Sequence, residues 1–277
     1  MKFETLLVTH PAPFVAHLQL NRPNKRNALN HQMWTEIPLA VNALAVDPNV
    51  RVIVVSGNGK AFCSGIDLQD MQNQEIFSTE NEELDVARRV RRMGAHIRTY
   101  QKSLSSFEDC PKPIIAAIHG YCYGGGVDII AACDIRWASK DALFSVKEVD
   151  IGLCADVGSL NRLPKICGNS SWVRELAFSA RNFDAQEALT NGLLSKIFDS
   201  PEAVRKGAIK FAIELSNKSP IAMQGTKINL NYSRDHTVKE SLEYTALWNQ
   251  SQLFTEDIPK SVMAAMSKSE PPMYSKL

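Results

Sequence analysis

Residues Pro113 to Ala132 constrain the fold more than any other stretch of the chain. Ile114 to Ile118 is an unbroken apolar run between Pro113 and His119-Gly120, the pattern of a strand buried on both faces. Gly124-Gly125-Gly126 follows and opens an apolar helix that runs through Ala132. Such a strand needs helices on each side of its sheet, which predicts an α/β architecture. The glycines let another segment approach the backbone closely, and a helix start offers unpaired N–H groups with partial positive charge.

A second glycine turn, Ala61-Phe62-Cys63-Ser64-Gly65-Ile66-Asp67-Leu68, follows another short strand, Val52 to Val55, and the turn cluster Ser56-Gly57-Asn58-Gly59. One N–H from each turn, aimed at a common point, would form an oxyanion hole. Taken singly, either turn is weak evidence, and Gly124-Gly125-Gly126 alone is better read as close helix–strand packing. A nucleotide-phosphate loop fits poorly. Gly120, Gly124, Gly125 and Gly126 do not spell G-x-G-x-x-G, and no G-K-[ST] follows.

The remaining pattern divides the chain into residues 1–198, a mixed α/β core, and residues 199–277, an all-helical region. Val15 to Leu20 reads as a strand. Asn30 to Ala45 reads as a helix capped by Asn30 and disturbed by Pro38. A long helix is predicted over Glu82 to Phe107, and short strands over Asp134 to Ala138 and Ala142 to Val146. Helices are predicted over Ala203 to Leu215, Ile221 to Tyr232, Val238 to Phe254 and Ile258 to Met266, and a loose polar stretch over Gln69 to Asn81.

Charge and cysteine usage exclude several classes of function. A formal net charge of +1 gives no support for nucleic acid or an anionic membrane as main partner, so the arginines at 88, 89, 91, 92 and 98 read as a solvated helix face. The 6 cysteines include no C-x-x-C pair, which leaves no zinc-site spacing and suggests reduced thiols in a core. No apolar run reaches the ~18 residues of a membrane span. The first residues carry neither a signal-peptide nor a transit-peptide pattern. Ser275-Lys276-Leu277 matches the tripeptide read by the peroxisomal import receptor, which predicts a peroxisomal location.

Several blocks together resemble one family. Arg22-Pro23 with Asn27-Ala28-Leu29 is similar to the R-P-x-x-x-N-A-L stretch of crotonase-fold proteins. Ala61 to Leu68 resembles their A-F-x-[AS]-G-x-D-L turn, and Pro113 to Asp134 their K-P-x-I-A-A-I…G-G-G-x-[DE]…C-D segment. Phe144, Glu148 and Gly152 resemble the next block. The resemblance implies a crotonase-like spiral of ββα units, with the helical remainder as an oligomerisation region for a homotrimer or hexamer. It implies an acyl-CoA thioester as substrate, its oxygen held by the backbone N–H groups of Ile66 and Gly125. Lys25, Arg26, Ser64, Gly65, Ile66, Asp67, Leu68, Gly124 and Gly125 would line the CoA path.

Removing a proton beside a thioester makes an enolate, and a carboxylate held near neutrality by an apolar pocket can take that proton. By position alone, Asp128 could be a helix N-terminal acid, Glu148 a partner of Lys147, and Asp156 a cap for the next helix. All three coincide with catalytic positions of the family. Together, within V-K-E-V-D-I-G-L-x-A-D-V-G, they resemble the Δ3,5-Δ2,4-dienoyl-CoA isomerases of fatty acid β-oxidation. The resemblance implies that Glu148 takes the α proton, that protonated Asp156 supplies the ε carbon, and that Asp128 positions or polarises. A proton shift needs no metal and no cofactor beyond the CoA of the substrate. The alternatives are an enoyl-CoA hydratase, against which Asp128 in place of Glu and the charged Asp156 both count, and a catalytically silent binding protein of the same fold.

Overall fold

The computed structural model describes residues 2–72 and 84–277. In chain order the elements are β1 (Leu6–Ala12), β2 (Phe14–Leu20), α1 (His31–Val46), β3 (Val50–Gly57), α2 (Leu68–Gln72), α3 (Val86–Asp109), β4 (Ile114–Ile118), β5 (Tyr121–Tyr123) and α4 (Gly125–Ala132). They continue with β6 (Ile135–Ser139), β7 (Leu143–Ser145), α5 (Ser159–Ile166), α6 (Ser170–Ser179), β8 (Phe183–Asp184), α7 (Ala185–Thr190) and β9 (Lys196–Phe198). Four helices close the chain: α8 (Pro201–Ser216), α9 (Pro220–Asp235), α10 (Val238–Gln252) and α11 (Asp257–Ser267).

The main sheet has the order β1-β2-β3-β4-β6-β9, antiparallel at β1/β2 and parallel thereafter. A small second sheet is ordered β5-β7-β8. β3, β4 and β6 of the large sheet each send the chain toward the small one before a helix returns it. β4 leads to β5 and α4, and β6 leads to β7 and α5. β3 leads to Cys63, which bridges Cys122 of β5. That succession is the expected spiral of ββα turns.

Strand alternation assigns the two faces of the sheet. Ile53, Val55, Ile114, Ala116 and Ile118 pack with α1, α3 and α4 in one core cluster. Val52, Val54, Ile115 and Ala117 pack in another with Val204, Ala208 and Ala212 of α8. The core therefore continues past the expected boundary between residues 198 and 199, because α8 covers the sheet's second face. α9 is tied down by Lys227, whose buried ammonium bonds the carbonyls of Phe107 and Lys112 and pairs with Asp134 at 2.9 Å. The residues that leave large apolar side chains in solvent along α10 and α11 include Leu242, Leu247, Val262, Met263 and Met266. The C-terminal tail folds back on the start of β3. Arg51 donates to the carbonyl of Tyr274 at 2.7 Å, and Lys276 to Asn49 at 2.6 Å.

The expected helix at 30–45 is α1. Asn30 caps it by accepting the Met33 amide, and Pro38 is accommodated inside it. The predicted long helix is α3, which starts at Val86; residues 82 and 83 lie outside the described residues. Its apolar stripe overshoots the core. Val86 and Val90 are exposed, and burial begins only at Tyr100. Of the stretch expected to be loose, residues 69–72 belong to α2 and residues 73–81 lie outside the described ones. Among the described residues no helix is long and apolar enough to cross a membrane.

Candidate active site

The first glycine turn is sewn between two segments. On one side, Phe62 donates to the His119 carbonyl and Cys63 to that of Tyr121, while Tyr123 donates back to Cys63. On the other side, Ser64 donates to Arg26, Leu29 to Gly65 and Asp67 to Leu29. The Arg22–Leu29 segment is braced in turn. Asn27 is fully buried and donates to the carbonyls of Asn58 and Ala61, while Arg22 bonds the Ala28 carbonyl and pairs with Asp67 at 3.0 Å.

This bracing sets the two glycine turns against each other. Gly65 (φ +93°) and Gly124 (φ +47°) both adopt backbone conformations that favour glycine. A Cβ on Gly65 would lie 3.1 Å from the Tyr123 carbonyl oxygen and 3.8 Å from the Gly124 Cα. A Cβ on Gly124 would lie 3.3 Å from Oε1 of Glu148. Among the described residues the amides of Ile66 and Gly125 donate to no acceptor. Each is the first free N–H beyond its turn.

These turns form one wall of a cavity of about 280 Å³. Ser64, Gly65, Ile66, Leu68, Gly124 and Gly125 line it, as do Glu148 and Asp156. Asp67 does not, because its carboxylate is turned to Arg22. Lys25 and Arg26 also lie off this cavity. Lys25 bonds Gln69, and the Arg26 guanidinium sits 5.5 Å over the Tyr121 ring. The sequence reading missed the apolar walls: Trp34 and Tyr100, stacked at 4.3 Å, with Ile151, Leu153 and Val157. Tyr100 falls on the apolar stripe of α3, which reads as core, and Trp34 stands beside the stripe of α1. Nothing in one helix says that two such faces meet over a cavity.

The carboxylates are unequal. Glu148 opens a short 3₁₀ turn, Glu148–Ile151, and is 9% exposed. Burial raises its pKa, and the Asp156 charge adds to the rise. Its Oε2 has no hydrogen-bond partner. Asp156 is half-buried and also raised, mainly by burial. It does not cap α5, whose N-cap is Gly158.

Asp128 is fully buried behind the cavity wall, in the first turn of α4. Its Oδ1 accepts the amide of Ser159 at the start of α5, while its Oδ2 has no partner. Burial, reinforced by the Glu148 charge, pushes its carboxyl up to about 7. Unpaired buried oxygens on two adjacent acids are rare outside functional sites.

The Asp128 shift has a consequence for stability. The folded-state pKa lies about three units above the unfolded value, so ionised Asp128 costs the fold on the order of 4 kcal/mol above pH 7. The cost fades as pH falls from 7 and is gone below about pH 3.8, where both states become protonated. Asn at this position keeps an oxygen for the Ser159 amide without the charge. Asp128→Asn is therefore expected to melt several degrees above wild type at pH 8, with the gap closing toward pH 4. Thermal melts across that range check it.

Similarity to known proteins extends over nearly the whole chain. The enoyl-CoA hydratase/isomerase family profile matches residues 13–276. The chain is 51% identical over 266 residues to the mitochondrial Δ(3,5)-Δ(2,4)-dienoyl-CoA isomerase of Mus musculus, covering 96% of this chain and 80% of that protein. It is 44% identical over 257 residues to the peroxisomal enzyme of that name from Arabidopsis thaliana, covering 93% and 91%. The crystal structure of enoyl-CoA hydratase from Bacillus anthracis superposes with a TM-score of 0.88 at 24% identity, over 98% of this chain and 99% of that one, which establishes a shared fold. With a spiral of ββα turns, two abutting glycine turns and a profile match over nearly its whole length, the chain belongs to the enoyl-CoA hydratase/isomerase family.

Proposed function

We propose that this protein is a Δ3,5-Δ2,4-dienoyl-CoA isomerase acting in fatty acid β-oxidation. The observation that carries the reading is a pair of unengaged amides, Ile66 and Gly125, facing a cavity that also holds Glu148 and Asp156. The amides hold the thioester oxygen, where charge grows as the α proton leaves, each donor lowering the barrier by roughly 3 kcal/mol. Glu148, beside Gly124, takes the α proton. The resulting dienolate is delocalised to the ε carbon, where protonated Asp156 supplies a proton. Both double bonds then lie next to the thioester. Asp128, off the cavity, acts through the start of α5, whose Ser159 amide it holds, and its own carboxyl is raised in turn by the Glu148 charge.

The relatives from mouse and Arabidopsis carry this activity in their names. The test is conversion of 3,5-dienoyl-CoA, followed as growth of conjugated-thioester absorbance. Hydration of 2-enoyl-CoA without diene conversion would instead establish a hydratase, and silence toward both a binding protein. Assembly is part of the proposal: the apolar side chains exposed on α10 and α11 suit a homotrimer or a hexamer. So is the compartment. Ser275-Lys276-Leu277 would address the protein to the peroxisome, the location named for the Arabidopsis relative, whereas the mouse relative is named mitochondrial.

A further inference from the structure

This inference rests on the isomerase reading. Moving both double bonds toward the thioester takes one proton from the α carbon and adds one at the ε carbon. Each turnover therefore leaves Glu148 protonated and Asp156 ionised, and both must be reversed before the next. Among the described residues no hydrogen bond joins the two carboxyls.

Asp156 stands in a partition. On one side is the chamber that holds Glu148 and the two glycine turns. On the other is a second cavity of about 320 Å³, and Asp156 and Val157 line both. The side chain of Gln101, also on the second cavity, donates to the Asp156 carbonyl at 2.7 Å and pins the partition. The second cavity is polar, with Gln101, Ser105, Asn161 and Lys165 in its wall. Arg162 bridges Ser105 and Glu108 there, and Arg234 pairs with the same Glu108. Asn161 and Lys165 are exposed, so the cavity meets the surface. At about 30 Å³ per molecule it accommodates on the order of ten waters. The cavity of about 300 Å³ behind Glu148 also reaches the surface, at exposed Val149 and Phe178, but it offers few polar groups to hold a file of waters. Apolar groups wall it, Val146, Leu153, Leu160 and Phe178 among them.

We propose that Asp156 is reprotonated from solvent in this second cavity, while Glu148 releases its proton separately through the substrate chamber once product has left. One proton enters from bulk and one returns to it, so the turnover is balanced with no other reactant. The partition lets the ε-carbon acid recharge on the side away from the acyl chain.

The experiment uses 3,5-dienoyl-CoA carrying deuterium at the α carbon, turned over many times by the full-length protein in ordinary water. The ε carbon of the product is read by mass spectrometry and NMR. Protium alone is expected there. Deuterium carried from the α to the ε carbon would mean that Glu148 recharges Asp156 inside the site, and would overturn the route. Asn161→Phe, at an exposed position that fills the second cavity, is expected to lower kcat about tenfold with KM unchanged and to enlarge the solvent isotope effect. Asn161→Ala is expected to keep the wild-type kcat. An Asn161→Phe protein with native circular dichroism and wild-type kcat would also overturn the route. Failure of wild type to convert any diene would sink the isomerase reading itself, whereas conversion with carried label sinks only the routing.

Discussion

Glu148→Gln is expected to lower kcat for 3,5-dienoyl-CoA by about 10³-fold, the scale on which a positioned general base acts. The substitution keeps the side chain's shape and one carbonyl oxygen for the backbone amides of Lys147 and Glu148, while Oε2 has no partner to lose. The amide cannot take the α proton. KM should stay close to wild type, because the amides of Ile66 and Gly125 and the cavity walls remain. Exchange of the α hydrogens with deuterated water should disappear along with product formation. Continued exchange in the variant would show that another group removes the proton. The companion assay is mass spectrometry of recovered substrate.

Asp156→Asn is expected to separate the two half-reactions. Product should fall by about 10² to 10³-fold, since no acid faces the ε carbon. Exchange at the α carbon should persist, because Glu148 and the amide pair are intact. Asp156 enters that step protonated and uncharged, so the acid limb of α exchange should stay close to that of wild type. A variant that lost exchange and product together would place Asp156 in the first proton transfer and sink the division of roles. Measuring both rates on one sample from pH 5 to 8 decides it.

What the sequence made legible follows from how local the signal was. The run Ile114–Ile118 and the glycines after it announced a buried strand and a helix start, and β4 and α4 are that strand and helix. Asn30 and the spacing after it announced α1. β5, β8 and β9 went unread because two or three residues carry no period. The apolar stripe of α3 misled in the other direction, since Val86 and Val90 continue it past the core.

At the site, the two turns were legible from their glycines and Glu148 and Asp156 through a resemblance, and the structure brings all of them to one cavity. The same motifs included residues that brace rather than line it. Asn27 holds two carbonyls, and Asp67 holds Arg22. A motif records that a residue matters to the site without distinguishing contact from support. The stacked Trp34–Tyr100 wall was out of reach because it arises from two helices meeting across a span of more than sixty residues.

The two amide-bearing turns follow β3 and β4, which are neighbours in the main sheet, and are stitched to each other by the bonds of Phe62, Cys63 and Tyr123 and to the Arg22–Leu29 segment by those of Ser64, Leu29 and Asp67. The grip on a carbonyl therefore depends on three stretches of chain that are far apart in sequence. Loosening any one of them would slacken the pocket before the sheet itself melts.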